Sequence, residues 1–243
     1  ICAAIDSPCG PTGAAGTISM PSVSVGGGAR RELFVDDYLI DRLAGKAQLR
    51  LHRPTQREVV FTCDKPWEGN WSGLVTYIQD GDIYRMYYTG GQWRRGRAAI
   101  CYAESRDGVH WTRPELGLVD FKGSKKNNII LPGKGVIAFV PFIDTNPDCK
   151  PDQRFKAMVA RTTPSKGLFG YASPDGIHWT PYEGNPVMKL DSDTGQVVLF
   201  DDQLGKYVAF GRFGAGGRKV ARSESDDFIH WSTSQLVLEP NER

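Results

Sequence analysis

The chain has 243 residues, and 30 lysines and arginines nearly balance 28 aspartates and glutamates, for a formal net charge of +2. That balance excludes an electrostatic nucleic-acid binder as the default reading and gives no reason to expect an acidic partner. The longest apolar run, residues 136–143, is far short of the ~20 residues of a membrane helix, so no membrane partner is expected.

Residues 1–31 are rich in Ala, Gly, Ser and Pro without a hydrophobic period, and they read as a linker or disordered arm. From residue 32 the pattern changes. LFVDDYLI (33–40) and QLRLHRP (48–54) read as two strands around a turn at Ala44, Gly45 and Lys46. With 28 glycines, 15 prolines and 11% aromatic residues, the composition suits many short strands and turns.

Beyond residue 55 the chain repeats itself. AESRDGVHW (103–111), YASPDGIHW (171–179) and SESDDFIHW (223–231) share the pattern S-x-D-[GF]-[VI]-H-W. The aspartates Asp107, Asp175 and Asp227 suit a tight turn in which a carboxylate accepts backbone N–H groups and glycine supplies positive φ. Phe228 replaces that glycine in the third copy, so a distorted turn is expected there. The three tryptophans read as plugs between neighbouring units. His110, His178 and His230 stand on separate units and read as markers of the repeat rather than metal ligands.

Upstream of each turn come two alternating segments. GLVTYIQDGD (73–82), VIAFVPFIDTN (136–146) and QVVLFDDQLG (196–205) each lead through a hairpin. IYRMYYTG (83–90), RFKAMVAR (154–161) and KYVAFGRF (206–213) follow, with Tyr84, Phe155 and Tyr207 in equivalent places. Each unit therefore has four strands, the short fourth carrying His-Trp. The tryptophans are 68 and 52 residues apart, and the excess falls mostly in 115–135, read as a loop insertion. Four-stranded antiparallel units at this spacing predict an all-β fold, a β-propeller whose closure limits exposed strand edges. The expected blades are about 56–114, 115–182 and 186–238, preceded by N-terminal strands 32–54, within one domain of residues 32–243. The five cysteines form no CxxC pair, so neither a zinc site nor a disulfide framework is expected.

The S-x-D-[GF]-x-H-W turns resemble the Asp-box turns of sialidase-like propellers. The whole unit is similar to blades of the five-bladed propellers of glycoside hydrolase families 32 and 43. ELFVDDYLID, PWEGNWSG, FKGSKKNNIIL, PFIDTNPDC and DFIHW resemble more closely a bacterial group with a family 32 N-terminal-like domain, over roughly residues 32–238. This resemblance implies a five-bladed propeller of which about three blades are present, so the chain is expected to be a fragment. It also implies an oligo- or polysaccharide substrate and carboxylates converging on the propeller axis. It calls for no cofactor, although such propellers can hold a structural calcium.

Glycoside hydrolysis needs two carboxyl groups flanking the scissile bond. The resemblance would put the family nucleophile at Asn70, which has no carboxylate, so Glu68 is the nearest candidate, with Gly69 giving it freedom to reach the axis. Asp193, with Asp191 behind it, precedes the inner strand of the third blade. Asp144 is a third candidate, with a hairpin-turn role as its alternative. Asp36 and Asp37 are weaker ones. Trp67, Trp71 and Trp93 are candidate sugar platforms, and Arg85 and Arg212, with Arg161, Arg94, Arg95 and Arg97, could orient a sugar or its acidic substituent. Two alternatives stay open beside hydrolysis: a non-catalytic glycan-binding propeller and a scaffold propeller.

Overall fold

The computed structural model describes residues 40, 42–51, 53–92, 97–161, 166–189, 192, 195–212 and 219–239. It divides into two units, residues 1–58 and 59–243. In the first, the expected turn is present: Gly45 has φ 64° and the Ala47 N–H donates to the Ala44 carbonyl at 3.2 Å. The strand expected over 48–54 is not formed at the described residues of that segment. Its alternation is real, but a strand needs a partner's ladder, and no described residue supplies one.

The second unit is built of β-strands. The first sheet runs β1 (Trp71–Asp80), β2 (Ile83–Gln92), β3 (Arg97–Ser105) and β4 (Ile129–Lys134). The second runs β5 (Val136–Ile143), β6 (Phe155–Arg161), β7 (Gly167–Ser173) and β8 (Thr180–Pro181). The third runs β9 (Val197–Asp201), β10 (Lys206–Gly211), β11 (Val220–Ser225) and β12 (Gln235–Leu238). Every pairing between neighbours is antiparallel. These are blades of a partial β-propeller.

Two expectations about the blades need correction. The fourth strand does not carry His-Trp; it follows it, after only isolated bridges such as Glu104 to Thr112 and Ser225 to Trp231. The segment 115–135 is also more than a loop, because it contains β4. Asn127 and Asn128 explain its placement. The Asn128 side chain donates to the Tyr102 carbonyl at 2.6 Å, and the Asn127 carboxamide accepts from the Ile129 N–H at 3.0 Å. Together they guide the chain back onto β3.

The period of two in each strand sends alternate side chains to opposite seams. Tyr87 and Ile100 of the first blade meet Val136, Phe139, Val159 and Phe169 of the second. Ala138, Met158 and Leu168 on the second blade's other face meet Val198, Tyr207, Ala209 and Phe228 of the third. The middle blade is covered on both faces, so β7 is buried throughout and β6 nearly so.

The Asp turns close each blade. Asp175 Oδ1 accepts the N–H groups of Ile177 and His178 at 2.9 and 2.8 Å, and Ser173 Oγ accepts that of Gly176 at 2.9 Å. Each histidine Nδ1 sits 2.6–2.7 Å from the second oxygen of its own turn's aspartate. Each indole N–H donates to the carbonyl of the positive-φ residue, at 3.0–3.1 Å. Trp179 does bridge blades, lying 5.0 Å from the Phe139 ring and 6.3 Å from Tyr87. Trp111 instead faces Tyr77 of its own blade. Burial alone would raise the Asp175 pKa, but the His178 N–H, its ring and the Ile177 N–H outweigh this and hold it down at about 2.

The third turn is not distorted, contrary to expectation. Phe228 takes φ 68°, close to the 77° of Gly176, and Asp227 accepts the Ile229 and His230 N–H groups at 2.8 Å each. The reason lies across the seam. A Cβ on Gly176 would stand 2.6 Å from Tyr87 Oη, which donates to the Gly176 carbonyl at 3.0 Å. The residue equivalent to Tyr87 in the second blade is the shorter Met158, and the Phe228 ring occupies the space, packing on Phe142, Tyr182 and Tyr207. Gly108 has no neighbour within 4 Å of its Cβ position.

Three substitutions separate these contributions. Phe228→Gly is expected to cost about 3–5 kcal/mol for the emptied site, less ~1 kcal/mol of relieved backbone strain. Gly108→Ala should cost only the backbone term of ~1–2 kcal/mol, and Gly176→Ala clearly more. Urea denaturation midpoints read all three, and equal losses for the two glycines would contradict the packing argument.

Candidate functional site

Glu68 lies in the segment entering β1, and its side chain is fully buried. Gly69, at φ 70°, serves a different end from the one expected. A Cβ there would stand 2.1 Å from the Gly91 carbonyl oxygen, so glycine lets the backbone lie against β2. The Gly91 N–H donates to the Glu68 carbonyl at 2.8 Å and the Asn70 N–H to the Gly91 carbonyl at 3.1 Å. The glycine fixes the carboxylate's place rather than freeing it.

Both Glu68 oxygens are engaged. Oε1 accepts from Arg113 Nε at 2.8 Å and Tyr88 Oη at 2.5 Å. Oε2 accepts from Arg113 Nη2 at 3.2 Å and the Lys65 N–H at 2.8 Å. The fork of Arg113 thus grips the carboxylate with two parallel bonds, the strongest arrangement such a pair adopts. Its guanidinium also covers the Phe61 ring at 4.0 Å. Tyr88 Oη accepts from Asn128 Nδ2 at 2.8 Å, and Asn128 Oδ1 accepts from the Trp67 indole at 2.7 Å. Burial, then Cys101, then the hydrogen bond to Glu68 push the Tyr88 pKa up, so its hydroxyl stays protonated as the donor. Trp67 is half-buried in this cluster, edge-on to Phe121.

Asp144 lies just past the end of β5, at the end opposite the strand starts. Its side chain is fully buried and paired with the buried Lys156. It also accepts from the Asn146 N–H at 3.0 Å and from Tyr207 Oη of the third blade at 2.7 Å. Burial raises its pKa, but Lys156, the Asn146 N–H and Tyr207 outweigh this and the net direction is down. Arg85 serves the equivalent place on the first seam. It pairs with Asp80 at 2.8 Å and donates to Tyr102 Oη at 3.2 Å and to the Asp175 carbonyl of the second blade at 2.9 Å. Asp80 also pairs with Arg154 of the second blade.

Trp71 opens β1 opposite Gly91, and Arg212 follows the end of β10; both are half-buried and stand at the end where the inner strands begin. Asp193, Asp191, Trp93, Arg94, Arg95, Asp36 and Asp37 lie outside the described residues. The structure therefore brings Trp67 to Glu68 through Asn128 and keeps Asp144 apart from them at the other end of the blades. Among the described residues no group of three His, Cys, Asp or Glu side chains is placed to hold a metal ion. Neither Arg113 as a partner of Glu68 nor Asn128 as a partner of Tyr88 is legible in the sequence. Arg113 stands two residues after Trp111, where the other copies have Pro181 and Thr233, so the repeat carries no sign of it.

The propeller architecture has known parallels. The chain is similar to an N-acetylgalactosamine deacetylase from F. plautii solved with blood group B trisaccharide, with TM-score 0.51 and 17% identity over 70% of this chain and 54% of that one. A glycosyl hydrolase from Bacteroides ovatus matches with TM-score 0.47 and 15% identity, over 71% of this chain and 50% of that one. Two uncharacterized Mycobacterium tuberculosis proteins are 38% identical over 69 residues, 26% of this chain and 20% of theirs. The chain thus spans about half of the similar structures and a fifth of the curated relatives it matches. No family model matches it. At these identities the structural likeness speaks to the fold alone.

The Glu68 cluster makes a clear prediction. Arg113→Met strands a buried carboxylate and is expected to cost about 3–5 kcal/mol, whereas the double change Arg113→Met with Glu68→Leu should recover much of it. Chemical denaturation of the three variants tests this; a neutral Arg113→Met would contradict the described burial.

Proposed function

We propose that this chain is part of a carbohydrate-active protein of the glycoside hydrolase type, taking a glycan at the end of the blades where the inner strands begin. The observation that carries this reading is the blade architecture shared with a deacetylase solved with a bound trisaccharide. The chemistry of hydrolysis supports a specific division of labour. Two carboxyl groups about 5–5.5 Å apart would give retention, and about 6.5–9.5 Å inversion. Asp193, four residues ahead of the first residue of β9 in the sequence, is the carboxylate to which this reading gives the acid, base or nucleophile role. Glu68 would join it only by exchanging its Arg113 and Tyr88 partners, and Asp144 lies at the wrong end of the blades for both. Trp71 and Arg212 are the platform and the orienting cation in the same reading, with Trp93 a further platform candidate. Trp67 and Arg85 fit packing roles better, given their internal partners.

A second reading, a glycan-binding propeller without turnover, is favoured by one observation. Glu68 and Asp144 each have their carboxylates engaged by internal donors. Full-length protein incubated with a panel of oligo- and polysaccharides decides between them. Release of reducing sugar that Asp193→Asn lowers by about 10²–10⁴-fold, with unchanged thermal stability, is the expected result. Glycan binding with no turnover would transfer the conclusion to the second reading. Absence of any glycan binding would sink both.

A further inference from the structure

Three largely buried cations among the described residues have carboxylate partners: Arg85 has Asp80, Arg113 has Glu68 and Lys156 has Asp144. Arg161, the last residue of β6, differs. Its Nε is buried without a hydrogen-bond partner, and no carboxylate among the described residues pairs with it. Its guanidinium lies over the Phe169 ring at 5.3 Å. The residue as a whole is only partly buried.

A second orphan occupies the same seam. Thr89 is fully buried, and its Oγ1 has no partner. Thr89 follows Tyr87 by two residues in β2, and Arg161 follows Val159 by two in β6. Tyr87 and Val159 pack in one cluster, so Thr89 and Arg161 stand on the faces that the first two blades turn to each other. Both lie toward the end where the inner strands begin, Thr89 opposite Gly73 and Arg161 opposite Val136. Leaving a buried donor unpaired is costly, and more so for a charged group, and the described residues supply an acceptor to neither of these atoms.

We propose that this end of the seam is an anion subsite in which Arg161 receives the carboxylate of a uronic acid residue, with Thr89 bordering the space. The inference rests on the glycan reading above and adds the substrate class. A carboxylate matches the planar fork of arginine, and a partly desolvated site strengthens the pairing.

Titration calorimetry on the full-length protein tests it, using an oligoglucuronate and the same oligosaccharide with its carboxyls reduced. The acidic form is expected to bind ~10-fold or more tightly, as a charge-assisted contact implies. Arg161→Gln should bring it to the level of the neutral form, whose binding stays unchanged, and Arg161→Lys should restore part of the preference. Equal wild-type affinities, or a preference that survives Arg161→Gln, would overturn the subsite and leave the glycan reading standing. Binding of neither form while other neutral glycans bind would do the same. No glycan binding of any kind would remove both. Should Arg161→Gln fail to fold, the wild-type comparison and Arg161→Lys decide.

Discussion

A carboxylate at or just past the end of an inner strand, held by a cation of its own blade and reaching a donor on the next, is the constraint on which this structure depends. Asp80 takes Arg85 from its own hairpin and Arg154 from the second blade. Asp144 takes Lys156 from its own hairpin and Tyr207 from the third. Arg85 and Lys156 occupy equivalent positions, one residue after the aromatic markers Tyr84 and Phe155. Apolar packing drives the blades together but does not fix their register, because it is not directional. The charged contacts are directional, and a slip along the seam would leave a buried carboxylate unpaired. Tyr87 on Gly176 at one seam, and Met158 with Phe228 at the other, then fill the space that this register defines.

The repeat made the blades legible. Three copies of a turn motif and three alternating strand pairs specify antiparallel units without any knowledge of their contacts. What the repeat could not carry was the difference between copies. β4 follows a segment with no counterpart in the other blades, and it is placed by Asn127 and Asn128, whose role depends on contacts far away in sequence. Phe228 in place of glycine reads as a defect when one turn is considered alone. It becomes a fit once the residue across the seam is known to be Met158 rather than tyrosine.

The candidate site was legible in residue type but not in environment. Sequence marks Glu68 and Asp144 as candidate carboxylates near strand ends. It cannot say that Arg113, Tyr88 and Lys65 surround the first and Lys156 and Tyr207 the second, because Arg113, Tyr88 and Tyr207 are distant along the chain and residue type alone does not show that Lys65 and Lys156 turn to these carboxylates. A carboxylate with its oxygens engaged is organised for holding structure, and one that faces open space is organised for chemistry. That distinction weighs against Glu68 and Asp144 as the groups that would carry chemistry. It also makes Arg161 conspicuous, since Arg85, Arg113 and Lys156 have carboxylate partners and Arg161 has none among the described residues.

The central claim, that carboxylates tie each blade to the next, is tested most directly by a double-mutant cycle on Asp144 and Tyr207. Stability is measured for Asp144→Asn, Tyr207→Phe and the pair. The account predicts a coupling energy of about 1–3 kcal/mol, as contacting groups in one buried network show. Additivity within about 0.3–0.5 kcal/mol would contradict it, because the Asp144 carboxylate would then contribute nothing to holding the third blade on the second.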